Sequence, residues 1–318
     1  MLDLYSFPFS AMGTECNLHF YSTNSSKAQE VSQAAISEVN RIEARYSRYN
    51  TDSLLSEINR VAQTGGSITL DEETGGLLDY AYACHEHSGG LFDISCGILR
   101  QAWDFSSNTL PKKETMENLL ARIGLDKISW DPPNLRFSVP GMELDLGGIG
   151  KEYASDRVAE ICVSMGIQHG LVDLGGDINV FGPHPDQEPW IIGIRDPKQT
   201  GSILGEVQIF QGSLASSGDY ERCMVIDGKR YSHIISPITG WPVSGLASVS
   251  VVSDKCIVAG SICTIAMLKG IDGIEWLKEI DARHSWIDEN GRQGGSAGFW
   301  SRPKAPGLNP GKPEQEGL

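Results

Sequence analysis

Hydrophobic and polar positions alternate with two different periods along the chain, and each period predicts its own kind of element. Between residues 12 and 21, Cys16, Leu18 and Phe20 alternate with polar residues, a period of two that is typical of a strand with one buried face. Between residues 26 and 46, apolar residues recur every three or four positions, which predicts an amphipathic helix.

The same periods, together with turn and capping residues, predict the remaining elements. Either Ser25 or Ser26 is available as N-cap of the helix at 26–46, and either Asp52 or Ser53 for a short helix at 53–59. Further helices are predicted at 71–88, 113–123, 150–165 and 257–268, and strands at 127–130, 135–139, 143–146, 170–174, 190–194, 204–209, 213–217 and 248–252.

The order of these elements indicates the fold class. Strands and helices mix without a regular strand–helix–strand alternation, which favours an α+β fold with mixed, largely antiparallel sheets and packed helices over a doubly wound fold. We expect a single domain over residues 1–300. Residues 301–318 combine Pro and Gly with charged residues, so a disordered C-terminal tail is expected there.

Composition and charge narrow the classes of partner. The 318 residues carry a net charge of -15, which argues against nucleic acid or an anionic membrane as the main partner, since both require a basic surface. The first residues lack a signal peptide or lipobox, and no window has the length of unbroken apolar residues that membrane insertion requires. The seven cysteines form no CxxC pair. We therefore expect a cytoplasmic protein with reduced thiols.

The segment Asp-Leu-Gly-Gly occurs twice, beginning at Asp145 and at Asp173. Glycines let the backbone approach a ligand closely while the carboxylate lies beside it, which suits a nucleotide or a metal-bound phosphate. Lys151 adds a positive charge where a helix is predicted to begin. The first copy is therefore the stronger candidate for a ligand loop, and the second copy is expected to support it.

A second candidate region surrounds His233. A single histidine is more often structural than catalytic, but His233 lies between two turns at a predicted strand end, and its near-neutral pKa suits proton abstraction from a hydroxyl. The preceding residues 216–219, Ser-Ser-Gly-Asp, are either an ordinary polar turn or a site for phosphate oxygens. The pattern leaves both interpretations open.

Groups of residues along the chain carry a resemblance to a known family. In order, they are Met12-Gly13-Thr14; Ser47-Arg48-Tyr49-Asn50 with Ser53 and Asn59; Gly89-Gly90-Leu91-Phe92-Asp93-Ile94 with Gly97; Asp145-Leu146-Gly147-Gly148 with Lys151 and Asp156; Gly175-Gly176-Asp177; Ser217-Gly218-Asp219-Tyr220 with His233; and Pro237, Thr239 and Gly240. From residue 12 to about 270 the sequence resembles the ApbE family of FAD:protein FMN transferases, which implies an ApbE-like, T-fold-related architecture.

The resemblance implies a reaction and its partners. FAD as substrate and Mg²⁺ would bind in one cleft, and FMN would pass from FAD to a Ser or Thr hydroxyl of a target flavoprotein through a phosphoester bond, with release of AMP. In phosphoryl transfer, positioning and charge neutralisation supply most of the rate. A soluble cytoplasmic flavoprotein is the expected target, and no pattern indicates the oligomeric state.

The resemblance also implies roles for individual residues. His233 matches the base that accepts the proton of the acceptor hydroxyl. Asp219 and Tyr220 brace the His233 hairpin or contact the ligand, and Trp103 is expected to pack. FAD contacts are implied for Met12, Tyr49, Leu91, Phe92, Asp93, Asp145, Lys151 and Ile234, and the metal site for the carbonyl of Gly148 and for Thr264, Gly260 and Cys263.

One position departs from the family pattern. The family has an acid four residues before the threonine of its metal-binding helix, whereas this sequence has Gly260 before Thr264. Losing that carboxylate should weaken Mg²⁺ binding unless Asp177 or Asp254 replaces it, and the thiol of Cys263 is a poor ligand for a hard cation. The sequence therefore leaves three hypotheses: an active transferase, a catalytically weakened FAD-binding protein, and an FAD pyrophosphatase.

Overall fold

The computed structural model describes residues 1–105, 107, 109–197, 199, 201–219 and 223–300, so Tyr220 and the predicted tail at 301–318 lie outside the described residues. The strands are β1 (Asp3–Ala11), β2 (Thr14–Ser22), β3 (Gly66–Thr69), β4 (Ile128–Asp131), β5 (Asn134–Phe137), β6 (Gly170–Leu174), β7 (Asp177–Gly182), β8 (Trp190–Arg195), β9 (Ile203–Ile209), β10 (Gly212–Gly218), β11 (Cys223–Ile226), β12 (Lys229–Ser232), β13 (Leu246–Ser253), β14 (Arg283–Asp288) and β15 (Gln293–Gly295). The helices are α1 (Ser25–Tyr46), α2 (Leu54–Thr64), α3 (Glu72–Ser88), α4 (Lys113–Leu120), α5 (Gly150–Ser164), α6 (Cys256–Lys269) and α7 (Gly273–Glu279).

A large antiparallel sheet connects most of these elements. Its strand order is β1-β2-β6-β7-β10-β13-β14-β15, and small sheets are formed by β3-β5-β4, β8-β9 and β11-β12. Helices α1, α5 and α6 contact one another in turn and pack against successive strands of the large sheet, so they cover one of its faces. The hairpin β8-β9 covers part of the other face through its own apolar cluster. The predicted α+β class with largely antiparallel sheets is confirmed.

Most predicted elements form, and the differences have local causes. Asn24, rather than Ser25 or Ser26, caps α1, because its side chain accepts a hydrogen bond from the N–H of Lys27 at 2.8 Å. Ser53 caps α2, which continues to Thr64 instead of ending at residue 59. The hydrophobic alternation of residues 3–11 forms β1, which was not predicted, and neither were β3, β7, β14, β15 and α7.

The predicted strand at 143–146 is wrong. Its Glu143 forms only an isolated bridge with Cys96. The side-chain amide of Asn59 bonds both backbone groups of Leu144, donating to its carbonyl at 2.9 Å and accepting from its N–H at 2.7 Å. A distant side chain therefore satisfies hydrogen bonds that a neighbouring strand would otherwise supply.

The stretch Cys256–Glu279 is apolar over a length that was not expected from the sequence. By length and composition alone it could cross a membrane, with a mean hydropathy of 1.6 over its most apolar window. Gly270 separates α6 from the following turn and α7, and half of that window is buried within the fold. Its burial against β10 and β13 accounts for the apolar composition as that of a core helix.

The carboxylate of Asp156 on α5 caps the beginning of α6. One oxygen accepts hydrogen bonds from the Cys256 N–H at 2.8 Å and the Asn179 amide at 2.7 Å, and the other accepts from the Ile257 N–H at 3.1 Å. The first N–H groups of a helix have no partner within the helix, and a carboxylate there is stabilising. This side chain thus fixes the start of α6 beside α5.

The contact between α5 and α6 is unusually close at Gly260. A Cβ added there would lie 2.5 Å from Cγ of Glu152 and 2.8 Å from its Oε1, distances shorter than van der Waals contact. Glycine in a helix interior ordinarily costs about 1 kcal/mol relative to alanine. The glycine at position 260 is therefore explained by steric exclusion, because the Glu152 side chain occupies the space that a larger residue at 260 would need.

We predict that Asp156→Ala lowers the free energy of unfolding by about 3 kcal/mol, since each hydrogen bond to a charged group contributes about 1.5–3 kcal/mol. Urea denaturation measures the change. Asp52→Ala removes an exposed carboxylate and is the control, with an expected effect within about 0.5 kcal/mol. Equal effects of the two substitutions would contradict the capping role.

We predict that Gly260→Ala destabilises the native chain but stabilises the Glu152→Ala variant by up to about 1 kcal/mol, because only the native background has a side chain in the way. Urea denaturation of the four proteins forms a double-mutant cycle. An effect of Gly260→Ala that is the same in both backgrounds would contradict the close contact.

Candidate functional site

Strand register brings two glycine turns to the same end of the large sheet. Met12 and Gly13 connect β1 to β2, and Met12 has a φ of 53°, in the left-handed region that residues other than glycine adopt rarely. Gly175 and Gly176 connect β6 to β7, and a Cβ on Gly175 would lie 2.5 Å from the hydroxyl of Thr14. The predicted contact residue Met12 therefore lies beside the second Asp-Leu-Gly-Gly copy.

In the first copy, Asp145 shapes its own loop and holds a neighbouring cation. One carboxylate oxygen accepts a hydrogen bond from the Gly147 N–H at 2.9 Å, and the other forms an ion pair with Arg48. Arg48 belongs to one of the motifs that carry the family resemblance, but no role was predicted for it. Because the Asp145 carboxylate is engaged by these two groups, its first effect is to position Arg48 and the loop.

Tyr49 presents an exposed aromatic ring next to this ion pair. The side chain is 74% exposed, its hydroxyl accepts a hydrogen bond from Arg48 at 3.0 Å, and the Arg48 guanidinium carbon lies 5.0 Å from the ring centroid. A large exposed aromatic ring held by a cation is available for stacking against a planar ligand.

The segment 91–93 packs beside the same loop. Phe92 is buried, and its ring lies 3.5 Å from where a Cβ of Gly148 would be. Asp93 is also buried, and it accepts hydrogen bonds from the N–H and the hydroxyl of Ser95 at 2.8 and 2.6 Å. Leu91 is half-buried and lines an open groove of about 510 Å³ near the end of α6. Phe92 thus packs against the loop at Gly148, and Asp93 holds the turn at Ser95.

Lys151 and Asp177 join the two Asp-Leu-Gly-Gly copies. Lys151 lies in the first turn of α5 and forms an ion pair with Asp177, which follows the second copy and is 3% exposed. The second copy therefore supplies a charged group to the same site, beyond the supporting role expected from the sequence. Helix α5 begins directly after the first copy, so its N-terminus also faces this loop with the positive end of the helix dipole.

Glu152 provides the carboxylate nearest to Gly260. It is buried, and its Oε2 has no hydrogen-bond partner. Burial, followed by the negative charge of Asp177, raises the pKa of Glu152 above its ordinary value. Glu152 was not among the predicted site residues, because no sequence pattern shows that it would meet Gly260. The alternative Asp254 is exposed at the turn before α6.

The other predicted metal positions lie on α6. Thr264 is half-buried one turn after Gly260, on the same side of the helix. The fully buried thiol of Cys263 donates a hydrogen bond to the Ala215 carbonyl at 3.3 Å, and burial raises its pKa well above the ordinary value, so it is unsuited to bind a cation as thiolate. In the described part of the chain, no three His, Cys, Asp or Glu side chains form a ready metal cluster.

His233 follows β12 and is half-buried. The next residue, Ile234, is buried in an apolar cluster that also contains Ala215 of β10 and Cys263 of α6. The Ile234 side chain is thus part of the core, and it attaches the His233 loop to the helix that carries Thr264.

Two further residues named in the sequence analysis hold the same region together. The indole N–H of Trp103 donates to the Gly240 carbonyl at 2.7 Å, and the ring is buried, consistent with the expected packing role. Asp219 is buried, with its carboxylate 3.7 Å from the guanidinium of Arg230 on β12. This geometry favours the bracing role of Asp219 over direct ligand contact.

A region of excess negative charge results at the junction of α5, α6 and β7. The buried carboxylates of Glu152 and Asp177 are close enough to raise each other's cost of ionisation, and Lys151 is the cation that pairs with Asp177. A cation would satisfy the unpartnered Glu152 oxygen and offset this charge. The donor set of carboxylate, hydroxyl and backbone carbonyl oxygens fits a hard divalent ion such as Mg²⁺.

The chain is similar to curated FAD:protein FMN transferases. The chain is 32% identical over 259 residues to the FAD:protein FMN transferase of Haemophilus influenzae, covering 78% of this chain and 74% of that protein. It is 30% identical over 292 residues to the FAD:protein FMN transferase of Treponema pallidum, covering 84% and 79%.

Solved structures share the whole fold. The crystal structure of the ApbE protein from Thermotoga maritima superposes with a TM-score of 0.84 at 29% identity, covering 94% of this chain and all of that one. The flavin transferase ApbE from Vibrio cholerae superposes with a TM-score of 0.83 at 25% identity, covering 94% and 99%. The sequence profile of the ApbE family matches residues 12–285, and the chain belongs to the ApbE family.

Proposed function

We propose that this protein transfers FMN from FAD to a Ser or Thr hydroxyl of a target flavoprotein, with release of AMP. The observation that carries the proposal is the convergence of both glycine turns, Lys151, Asp177 and the start of α5 at one end of the sheet, in a chain whose relatives are FAD:protein FMN transferases. These groups suit a flavin nucleotide with its pyrophosphate near the N-terminus of α5.

The described residues divide the work of holding FAD. Tyr49 offers a ring face for stacking, and Arg48 and Lys151 offer positive charge to the pyrophosphate. Asp145 holds Arg48, and Phe92 supports the Gly148 loop from below. Positioning of this kind is the main source of rate in phosphoryl transfer.

The bond changes are those of a displacement at phosphorus. The acceptor oxygen forms a bond to the FMN phosphorus of FAD, the bridging P–O bond breaks, and AMP leaves. His233 takes the proton of the acceptor hydroxyl, a role that suits an imidazole at neutral pH. Ile234, buried against α6, keeps the His233 loop in place.

Mg²⁺ is part of the proposal. The residues that would hold it are Thr264, the carbonyl of Gly148 and the carboxylate of Asp177. When bound, a divalent cation neutralises charge on the pyrophosphate and on the leaving phosphate.

We predict that the purified chain, incubated with FAD, Mg²⁺ and a flavoprotein carrying a Ser/Thr-Gly-Ala-Ser/Thr-like segment, yields a fluorescent covalent flavin on the target and one AMP per transferred FMN. Gel fluorescence and chromatography measure the two products. A target with Ala in place of its acceptor is the control. FAD binding without AMP would instead favour a weakened FAD-binding protein, and AMP without any target would favour a pyrophosphatase.

We predict that His233→Ala abolishes transfer while changing FAD affinity less than about threefold, because a base that acts on the acceptor contributes little to ground-state nucleotide binding. Flavin fluorescence titration measures the affinity, and gel fluorescence measures transfer. His184→Ala, which removes a histidine that stacks on Trp190, is the matched control and should retain transfer. Parallel losses of affinity and transfer in His233→Ala would show a structural role.

A further inference from the structure

We infer that Glu152 supplies the carboxylate ligand for the divalent cation, in place of the acid that position 260 lacks. This inference rests on the proposed function, because it concerns the cation of the same site. It reassigns the ligand from helix α6 to helix α5, and it gives a reason for the glycine on α6.

The Glu152 carboxylate lies where a side chain at position 260 would begin. The Oε1 atom of Glu152 lies 2.8 Å from where a side chain at position 260 would begin, so the Glu152 carboxylate occupies the space of that absent side chain. Position 260 is one helical turn before Thr264, so this space adjoins the hydroxyl that the family resemblance assigns to the metal. The carboxylate therefore enters the site from the opposite helix.

The Glu152 carboxylate is also buried without a full set of hydrogen-bond partners. Only 6% of the Glu152 surface is exposed, and its Oε2 has no hydrogen-bond partner. A buried carboxylate with an unsatisfied oxygen is costly, and such groups in proteins are ordinarily paired or bound to a metal. Asp177 pairs with Lys151 and is not a hydrogen-bond partner of this oxygen.

The residues at positions 152 and 260 complement each other, a glutamate on α5 facing a glycine on α6. A side chain at 260 would collide with Glu152 in this packing, so an acid at 260 does not fit beside the glutamate. Mg²⁺ needs only one or two protein carboxylates, because phosphate oxygens and water complete its octahedral shell. Glu152 and Asp177 meet that requirement with Gly260 left empty.

Direct metal binding tests the inference. The full chain is stripped with EDTA and titrated with Mn²⁺ in the presence of saturating FAD, and free Mn²⁺ is followed by electron paramagnetic resonance. Loss of even an indirect partner of a metal ligand weakens binding 10–100-fold, so Glu152→Gln should weaken Mn²⁺ binding at least about tenfold. Glu160→Gln removes an exposed carboxylate from the same helix and should leave the affinity unchanged.

Thermal stability separates ligation from a structural role. Without metal, Glu152→Gln should melt at or above the native temperature, because it removes an unpaired buried charge. With Mn²⁺ and FAD, the native chain and Glu160→Gln should gain stability by mass action, and Glu152→Gln should gain less. A metal-free Glu152→Gln that is less stable than the native chain, with an unchanged gain on adding Mn²⁺, would overturn the inference.

Moving the carboxylate from position 152 to position 260 should restore part of the Mn²⁺ affinity. Gly260→Asp alone should not increase Mn²⁺ affinity, because its Cβ would meet Glu152. The double variant Glu152→Gly and Gly260→Asp should bind Mn²⁺ more tightly than Glu152→Gly alone, since it returns one carboxylate to the junction.

The outcomes separate this inference from the proposed function. Native-like Mn²⁺ affinity in Glu152→Gln, or no Mn²⁺ binding by the native chain with FAD, would overturn it. If Mn²⁺ binds through Glu152 but no tested target receives FMN, the ligand assignment stands and the transfer proposal fails.

Discussion

The carboxylate of Asp156 fixes the relation between α5 and α6 on which the candidate site depends. It holds the first N–H groups of α6 and, through Asn179, strand β7 of the large sheet. These bonds determine which turn of α6 faces which turn of α5, and therefore that Gly260 lies against Glu152. A displacement of α6 by one turn would separate the carboxylate from Thr264, so a purely structural side chain sets the geometry of the chemistry.

Charge around this junction explains how an acidic protein can hold an anionic nucleotide. The whole chain carries a net charge of -15, and Arg48 and Lys151 are each already paired with a carboxylate. These ion pairs offset part of the positive charge that the two side chains offer to a pyrophosphate. The N-terminus of α5 and the proposed cation would supply the remaining positive potential, and metal and nucleotide binding would then be interdependent.

Local signals in the sequence predicted most elements, and long-range contacts account for the errors. The capping of α2 and α3 and the apolar spacing of α5 depend on neighbouring residues and could be recognised directly. The error at 143–146 arises from Asn59, which is distant in sequence and satisfies the backbone of Leu144. At the site, motifs identified the glycine loops and His233. They could not identify Glu152, whose importance depends on a contact between two helices.

The mutual exclusion of side chains at positions 152 and 260 has an evolutionary consequence. Two substitutions that move the carboxylate from one helix to the other would not act independently, because both side chains would use the same space. A glutamate at 152 beside an acid at 260 would crowd the junction, and a chain with neither would keep only Asp177 there. The effect of a substitution at either position therefore depends on the residue at the other, which is epistasis between two helices.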